Sequence, residues 1–272
     1  MSLELTILGC GSSGGVPRIG NHWGHCDPAN PKNHRRRCSV LVQRGSSAAA
    51  TRVLVDTSPD LRIQLLMAGV GELDGVVFTH PHADHTHGID ELRAVALNMR
   101  RRVPVWADSR TSNALMARFG YAFRTPEGSP YPPILDIGLL TPLDPVSIAG
   151  RGGEITLLPF EVQHGDIRAL GFRVAGMAYT PDINGVPPES HTALSALDCW
   201  IVDALRRTGH PSHWSLPETL EWISRFRPKR AIITNMHLDL DYDTLCRELP
   251  PHIRPAFDGM IVGLAEMPGK RP

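Results

Sequence analysis

A dense group of metal-binding side chains occurs in the segment FTHPHADHTHG, where four histidines and one aspartate lie between His80 and His87. Imidazole nitrogens bind Zn, Mn, Fe or Ni, and a carboxylate adds a hard oxygen ligand. On an extended or loosely turned backbone, His80, His82 and Asp84 would point to one side, while Asp84 and His85 diverge. One ion cannot easily bind all four side chains, but two ions can. The alternative is a solvated polar loop, which rarely uses histidine four times.

The histidine cluster begins where a predicted strand ends, because LDGVVF (residues 73–78) is a short apolar run typical of a buried strand. Periodicity and turn residues predict further strands at 3–8, 39–43, 53–56, 103–107, 155–162, 168–174, 176–180, 199–202 and 230–234, and helices at 60–69, 89–99, 110–120, 217–226 and 242–249. Two β-rich halves, each with helices, indicate an α/β fold. We expect an αββα sandwich, in which two mixed β-sheets pack face to face with helices outside.

The sequence THPHADH resembles the HxHxDH signature of the metallo-β-lactamase superfamily, and the rest of the chain supplies the family's remaining positions in order. The resemblance implies the metallo-β-lactamase fold and two divalent ions, with Zn²⁺ or Mn²⁺ expected. By this resemblance one ion would be held by His80, His82 and His164, and the other by Asp84, His85 and His237. Asp182 would bridge the two ions, since an anionic oxygen between two dications lowers their mutual repulsion.

Each of these downstream positions has a simpler interpretation. A lone histidine after a strand is usually a surface or hydrogen-bonded residue, and Asp182 in TPDIN could be a turn former. Asp56, at the end of VLVD, resembles the family aspartate that orients a ligand histidine or its loop. It could equally cap the predicted helix at 60–69.

A further resemblance links the segment before the His237 strand to tRNase Z and its phosphodiesterase relatives, in which an acidic residue after a strand pairs with a histidine that serves the phosphate. The matching residues are Asp203 and His213, with His210 as a rival for the histidine. His213 would protonate the leaving oxygen or donate to a phosphoryl oxygen, and Asp203 would orient it. The catalytic candidates are therefore Asp84, whose site would neutralise a second nonbridging oxygen, together with His213 and Asp203.

The segments GCGSSGGVP, RRRCSVLV, VDTSPDLR and AFDGM are similar to those of the phosphoribosyl 1,2-cyclic phosphate phosphodiesterases of phosphonate catabolism. The resemblance implies a small phosphodiester substrate, such as a cyclic ribose phosphate or a nucleotide-like diester. Ser12 and Ser13, in the glycine-rich turn, and His213 are the candidate substrate contacts. Such a turn more often only permits positive φ.

Other functions remain open at this stage. Hydrolases of carboxylic esters, thioesters or lactones use the same fold, and iron-dependent chemistry is a lesser option. The alternative that is not an enzyme is a metal-binding regulatory module. Some relatives hold a structural zinc with closely spaced N-terminal cysteines. This chain offers His22, His25, Cys26 and Cys38 but no CxC pair, and we predict no extra zinc there.

Composition limits the number of domains, the possible partners and the expected location of the protein. The 272 residues fit one domain, residues 1–272, and the formal net charge of zero disfavours a stable nucleic-acid complex. Five scattered cysteines and an N-terminus without a signal-peptide pattern predict a cytoplasmic protein. No apolar run is long enough for a membrane span, so we expect no membrane partner. The sequence does not fix the oligomeric state, and a homodimer is one option.

Overall fold

Two seven-stranded β-sheets form the centre of residues 2–263, the part of the chain that this computed structural model describes. The strands in chain order are β1 (Leu3–Gly9), β2 (Ser39–Arg44), β3 (Thr51–Val55), β4 (Gly75–Val77), β5 (Val103–Ala107), β6 (Leu135–Leu139), β7 (Val146–Gly150), β8 (Gly153–His164), β9 (Ile167–Val174), β10 (Met177–Thr180), β11 (Cys199–Asp203), β12 (Arg230–Thr234), β13 (Ile253–Pro255) and β14 (Ile261–Gly263). The first sheet has the order β14-β1-β2-β3-β4-β5-β6, and the second β13-β12-β11-β10-β9-β8-β7.

Both sheets are mixed. In the first, β14, β1, β2 and β3 pair antiparallel, and β3, β4, β5 and β6 pair parallel. In the second, β7, β8, β9 and β10 pair antiparallel, and β10, β11, β12 and β13 pair parallel. The parallel ladders matter most for the site, because the carboxyl ends of neighbouring parallel strands lie along one edge of a sheet.

Six α-helices and four 3-10 helices connect the described strands. The α-helices are α1 (Leu61–Ala68), α2 (Ala83–Thr86), α3 (Leu92–Met99), α4 (Ser109–Phe123), α5 (Leu216–Phe226) and α6 (Tyr242–Glu248). The 3-10 helices are Pro31–Asn33, Ser47–Ala49, Ile89–Glu91 and Pro188–Leu194. α5 begins with a capping box, in which Ser215 and Glu218 each bond the other's backbone.

Alternating side chains of the first sheet build two separate apolar layers, because successive side chains of a strand point to opposite faces. On β3, Val53 and Val55 face the second sheet and join a cluster with Phe160. Leu54 between them points the other way and packs in a second cluster with Leu61 of α1 and residues of α3 and α4. The predicted αββα arrangement of two mixed sheets with helices is confirmed.

The two sheets bring their functional strand ends together at one edge of the sandwich. Asp56 follows β3, His80 lies three residues beyond β4, and Asp182 lies two residues beyond β10. A backbone hydrogen bond of 2.8 Å from Leu170 N to Thr79 O joins β9 to the segment after β4. The ends of β3, β4, β8, β10, β11 and β12 therefore surround a common space.

The sequence-based expectation differs from the structure in the histidine segment. We expected an extended or loosely turned backbone through residue 85, but the chain turns into the short helix α2 at Ala83. His80 and His82 precede α2, whereas Asp84 and His85 lie on it. A helix of one turn is too short to leave a periodic pattern in the sequence, so only the structure reveals it. The edge strands β6, β7, β13 and β14 were also not predicted.

Gly88 holds the end of the α2 segment against the loop that precedes α1. A Cβ built on Gly88 would lie 1.9 Å from the backbone oxygen of Ser58 and 3.0 Å from Leu61 Cβ. We therefore expect Gly88→Ala to reduce the free energy of unfolding by about 1–3 kcal/mol or more, the usual effect of overpacking. Chemical denaturation measures this. Gly120→Ala in α4 is the matched control, since nothing lies within 4 Å of a Cβ built at that position. This variant should have the same stability as the wild type or a higher one. Equal stability of both variants would contradict the packing argument.

Candidate metal centre

Six of the seven predicted metal ligands come together at the edge of the sandwich and form two groups. Within each group, the ligand atoms all lie within 4.8 Å of one another. The first group has three imidazoles and a carboxylate, from His80, His82, His164 and Asp182. The second has Asp84, His85 and again Asp182. Asp182 is common to both groups, as expected for a bridging ligand.

In each buried histidine of the first group, a hydrogen bond engages Nδ1 and leaves Nε2 directed toward the other ligands. Thr79 donates its hydroxyl proton to Asp56 at 2.8 Å, so its Oγ1 accepts from His80 Nδ1 at 2.9 Å. His164 Nδ1 donates to the carbonyl oxygen of Ser212 at 2.7 Å. These bonds fix the tautomers so that Nε2 of both rings faces the ligand group. His82 instead presents Nδ1, which lies 3.2 Å from His164 Nε2.

Asp56 holds the second group in place. Its carboxylate accepts hydrogen bonds from Thr79 N at 2.8 Å and from His85 Nδ1 at 2.7 Å, and it is fully buried. The cap position of α1 is occupied by Asp60, so the alternative in which Asp56 caps that helix does not apply. His85 Nε2 is thereby turned toward Asp182 Oδ1, 3.1 Å away.

Burial and charge prepare these groups to bind cations. Burial lowers the pKa of His80, His82 and His164, so these rings are neutral at pH 7, the state that binds metal. Burial also opposes charge on His85, but the carboxylates of Asp182, Asp84 and Asp56 override it and raise its pKa well above the usual range. The same three carboxylates would attract a metal cation in place of that proton.

The donor set fits divalent ions. His80 Nε2 and His85 Nε2 are buried and have no hydrogen-bond partner among the described residues, a costly state unless a cation accepts their lone pairs. Two ligands of one tetrahedral Zn²⁺ at about 2.0–2.1 Å lie about 3.3 Å apart. His164 Nε2 lies 3.5 Å from Asp182 Oδ2, and Asp84 Oδ2 lies 3.5 Å from His85 Nε2. The side chains are therefore already spaced as ligands of common ions.

The paired residues Asp203 and His213 also meet as predicted. Asp203, the last residue of β11, is fully buried and accepts a hydrogen bond of 2.7 Å from His213 Nδ1. His213 Nε2 lies 3.8 Å from Asp182 Oδ2. Burial alone would lower the pKa of His213, but the charge and hydrogen bond of Asp203 raise it to about 9. His213 can therefore carry a proton at neutral pH beside the candidate metal centre.

His237 lies in the same pocket but outside both ligand groups. Its Nε2 accepts a hydrogen bond from the Arg18 guanidinium, and its Nδ1 lies 3.2 Å from Asp239 Oδ1. Asn235, two residues earlier, is buried beside Asp182 instead, with its Nδ2 3.3 Å from Asp182 Oδ1. Asn235 was not among the residues predicted from the sequence, because a single asparagine is a much weaker sign of a metal site than an imidazole. Its position directly after β12 was the available signal.

The predicted substrate contacts Ser12 and Ser13 line the pocket that contains the ligand groups. The Ser12 hydroxyl is buried and has no hydrogen-bond partner among the described residues. The other residues around the pocket are Arg18, His82, Asp84, His164, Asp182, Leu205, Arg206, His210, Ser212, His213, Asn235 and His237. His210 lies at the rim, where its Nδ1 is 3.2 Å from Ser212 Oγ.

The residues considered for an extra zinc have other partners. Cys26 Sγ lies 3.9 Å from the guanidinium of Arg35, and the buried Cys38 Sγ lies 3.6 Å from the carbonyl oxygen of Gly11. His22 and His25 are exposed. All five cysteines of the chain lie in the described range and are free thiols.

Asp56→Asn should weaken metal binding by about 10–100-fold, the usual effect of removing a carboxylate that orients a ligand histidine. The amide cannot provide the charge that holds His85 and Thr79, so His85 Nε2 would lose its orientation. Isothermal titration with Zn²⁺ measures the change. Asp136→Asn is the control, because Asp136 is exposed and pairs with Arg102. If the two variants bound Zn²⁺ equally well, Asp56 would have no role in the centre.

Comparison with known proteins identifies the family. Residues 51–236 match the family model described as the β-lactamase superfamily domain. The chain therefore belongs to the metallo-β-lactamase superfamily. A solved structure described as a new diphosphatase from the PhnP family is 31% identical, with a TM-score of 0.86, and the match covers 97% of this chain and 98% of that chain.

Two further relatives have different described activities. An octanoyltransferase of Porphyromonas gingivalis is 32% identical over 95% of this chain and 51% of its own length. A ribonuclease Z of Bradyrhizobium is 30% identical over 62% of this chain and 52% of its own length. The chain thus spans about half the length of these relatives. The structure of human tRNase Z, short form, shares the fold at 15% identity and a TM-score of 0.64.

No helix within residues 2–263 combines the length and the apolar character needed to cross a membrane.

Proposed function

We propose that this protein is a dinuclear metal-dependent hydrolase that cleaves a small phosphodiester, such as a cyclic ribose phosphate or a nucleotide-like diester. One observation carries the proposal: His213, whose ring is held by the buried carboxylate of Asp203 at 2.7 Å, lies beside a two-part His/Asp ligand cluster, with its Nε2 3.8 Å from Asp182 Oδ2. A phosphodiester needs both parts, because its anionic oxygens must be neutralised and its leaving oxygen must receive a proton.

The chain's own residues define the steps of this reaction. Two bound divalent ions would supply charge neutralisation and acidify a water molecule. Hydrolysis forms a bond from the water oxygen to phosphorus and breaks the bond from phosphorus to the leaving oxygen. His213 Nε2 gives its proton to that oxygen, while Asp203 stabilises the ring and keeps Nδ1 protonated. One alcohol and one phosphomonoester result: the hydroxyl group of the water stays on phosphorus, and the proton that the water loses is returned to His213 through solvent.

The arginine-lined wall of the pocket favours an anionic substrate. Arg18 and Arg206 line it, and no carboxylate of residues 2–263 pairs with either guanidinium. Arg206 donates to the carbonyl oxygens of Thr208 and Gly209 at 3.1 and 2.5 Å, which holds it in place. A carboxylic ester, thioester or lactone would leave this positive wall without a counter-charge.

The same wall supports a second candidate substrate, a diphosphate-bridged nucleotide. A substrate with two neighbouring phosphates could place one at the ligand cluster and the other against Arg18 and Arg206. The 31% identical neighbour described as a diphosphatase supports this option. We propose a small-molecule substrate in either case and no stable nucleic-acid complex, since the formal net charge is zero. A homodimer remains a prediction, which sedimentation analysis would test.

A substrate panel tests the proposal. Metal-free protein, reconstituted with Zn²⁺ or Mn²⁺, would be assayed with bis-p-nitrophenyl phosphate, a ribose cyclic phosphate, a dinucleotide with a diphosphate bridge, p-nitrophenyl acetate and a thioester. We expect metal-dependent turnover of at least one phosphorus ester above that of both carboxylic substrates. Faster turnover of the carboxylic esters would reject the proposal, and bound metal without any turnover would favour a regulatory module.

A further inference from the structure

The two ligand groups of the candidate centre are chemically unequal. The first group has four His/Asp ligands, three of them imidazoles, whereas the second has only three. By family resemblance His237 would complete the second group. Its ring instead contacts the Arg18 guanidinium and the Asp239 carboxylate. The backbone of His237 is also fixed, because Arg35 donates a hydrogen bond of 3.2 Å to its carbonyl oxygen.

Asn235 occupies the space beside the second group. It is 2% exposed and follows β12 with a left-handed backbone, φ 58°, which asparagine tolerates better than most residues. Its Nδ2 lies 3.3 Å from Asp182 Oδ1, the atom that also lies 3.1 Å from His85 Nε2. Two oxygen ligands at right angles on an ion with bonds of about 2.1 Å lie about 3 Å apart. Asn235 is therefore spaced from Asp182 as a ligand of the same ion.

In the structure the amide NH₂ donates to Asp182 Oδ1 at 3.3 Å and the amide oxygen lies 3.9 Å from Cys38 Sγ, so binding of a cation through the oxygen requires the amide to turn over. The terminal atom next to Asp182 also lies 3.2 Å from His213 Nδ1, which already donates its proton to Asp203. The NH₂ group therefore gains no acceptor from His213 Nδ1 and would lose only its bond to Asp182 on turning over. The two ends of an asparagine amide have nearly the same shape, so the side chain can turn over in place. A cation bound to Asp182 Oδ1 would favour the same turned orientation.

We propose that the amide oxygen of Asn235 is the fourth protein ligand of the second metal ion. This inference rests on the dinuclear centre of the proposed function. The first site then has three nitrogens and one oxygen, and the second has one nitrogen and three oxygens. Nitrogen-rich sites suit Zn²⁺, and oxygen-rich sites suit Mn²⁺ or Mg²⁺. The protein should therefore bind one Zn²⁺ tightly in the first site and accept Mn²⁺ in the second.

Three variants test the assignment through metal binding rather than activity. Asn235→Gly removes the amide and keeps the left-handed backbone free of strain. Asn235→Asp keeps the shape and adds a charge. His237→Ala is the matched control, because it removes the ligand that the family resemblance predicts. Protein loaded with one equivalent of Zn²⁺ would be titrated with Mn²⁺, followed by calorimetry and electron paramagnetic resonance.

We expect the wild type to bind one Mn²⁺ after the Zn²⁺, with hyperfine coupling to a single imidazole, that of His85. Asn235→Gly should weaken Mn²⁺ binding by at least about 10-fold, the lower end of the effect of losing a group that supports a metal. Asn235→Asp should strengthen it, and His237→Ala should leave the stoichiometry of two ions unchanged.

The outcomes separate this inference from the proposed function. Loss of the second ion in His237→Ala, with normal binding in Asn235→Gly, would overturn the role of Asn235 and restore that of His237. Unchanged Mn²⁺ affinity in both Asn235 variants would also overturn it, although the dinuclear centre would stand. A wild type that binds fewer than two ions would instead contradict the centre itself.

Discussion

Asp182→Asn should reduce phosphodiester hydrolysis by about 10³-fold or more. Its carboxylate reaches both ligand groups, since Oδ1 lies 3.1 Å from His85 Nε2 and Oδ2 lies 3.5 Å from His164 Nε2. Burial raises the pKa of Asp182, but the neighbouring His85 overrides this and holds it well below the usual range, so the carboxylate is charged throughout the working pH range. Losing one preorganised electrostatic contact costs about 10²–10³ in rate, and in the proposed dinuclear centre this residue would contact both ions.

Steady-state kinetics on metal-reconstituted protein, with the metal content of each sample measured, check this result. Asn has the size of Asp, so the variant removes charge without leaving a cavity. Asp144→Asn is the control, because Asp144 is exposed in the loop between β6 and β7. A variant at position 182 that kept two ions and a rate within about 10-fold of the wild type would show that Asp182 does not bridge the ions.

The second large effect is expected at His213. General acid catalysis contributes about 10²–10⁴-fold, so His213→Ala should slow hydrolysis by that factor when the leaving group is a sugar alcohol. With bis-p-nitrophenyl phosphate the loss should be much smaller, because p-nitrophenolate leaves readily without a proton. The comparison separates the loss of an acid from misfolding, which would slow both substrates equally. His210→Ala is the control for the rival histidine, and a larger effect there would reassign the role.

The pH profile tests how Asp203 acts on His213. Burial raises the pKa of Asp203 to about 7, below the value of about 9 for His213, so the pair is ionised between these values. The acid form of His213 is lost as pH rises, which places a decline in rate on the alkaline side. Asp203→Asn removes the charge that raises the His213 pKa, so this decline should move to lower pH. An alkaline limb at the same pH in both proteins would exclude His213 as the proton donor.

Much of the fold could be predicted from local patterns. The strands Val103–Ala107 and Arg230–Thr234 have the predicted bounds, because a short apolar run between turn residues suits a buried parallel strand. The edge strands β6 and β7 are each five residues long, contain one buried residue each and show no regular alternation of buried and exposed positions, so their sequence pattern was weak. The αββα layering followed from the number of such runs in each half.

The site was predictable in its residue types but not in its final geometry. His80, His82 and Asp84 could be identified because their spacing is unusual for a loop. The choice between Asn235 and His237 depends on how the chain leaves β12. The left-handed turn at Asn235 directs that side chain toward Asp182, and Arg18 draws the His237 ring away. Such contacts come from segments far apart in sequence, so the family resemblance assigned the ligand to His237, and Asn235 is proposed only from the structure.

Anomalous diffraction from a crystal of the Zn²⁺- or Mn²⁺-loaded protein tests the central claim most directly. We predict two peaks about 3.5–4 Å apart, one among His80, His82 and His164, and the other between Asp84 and His85, with Asp182 touching both. A single peak, or peaks remote from Asp182, would contradict this claim.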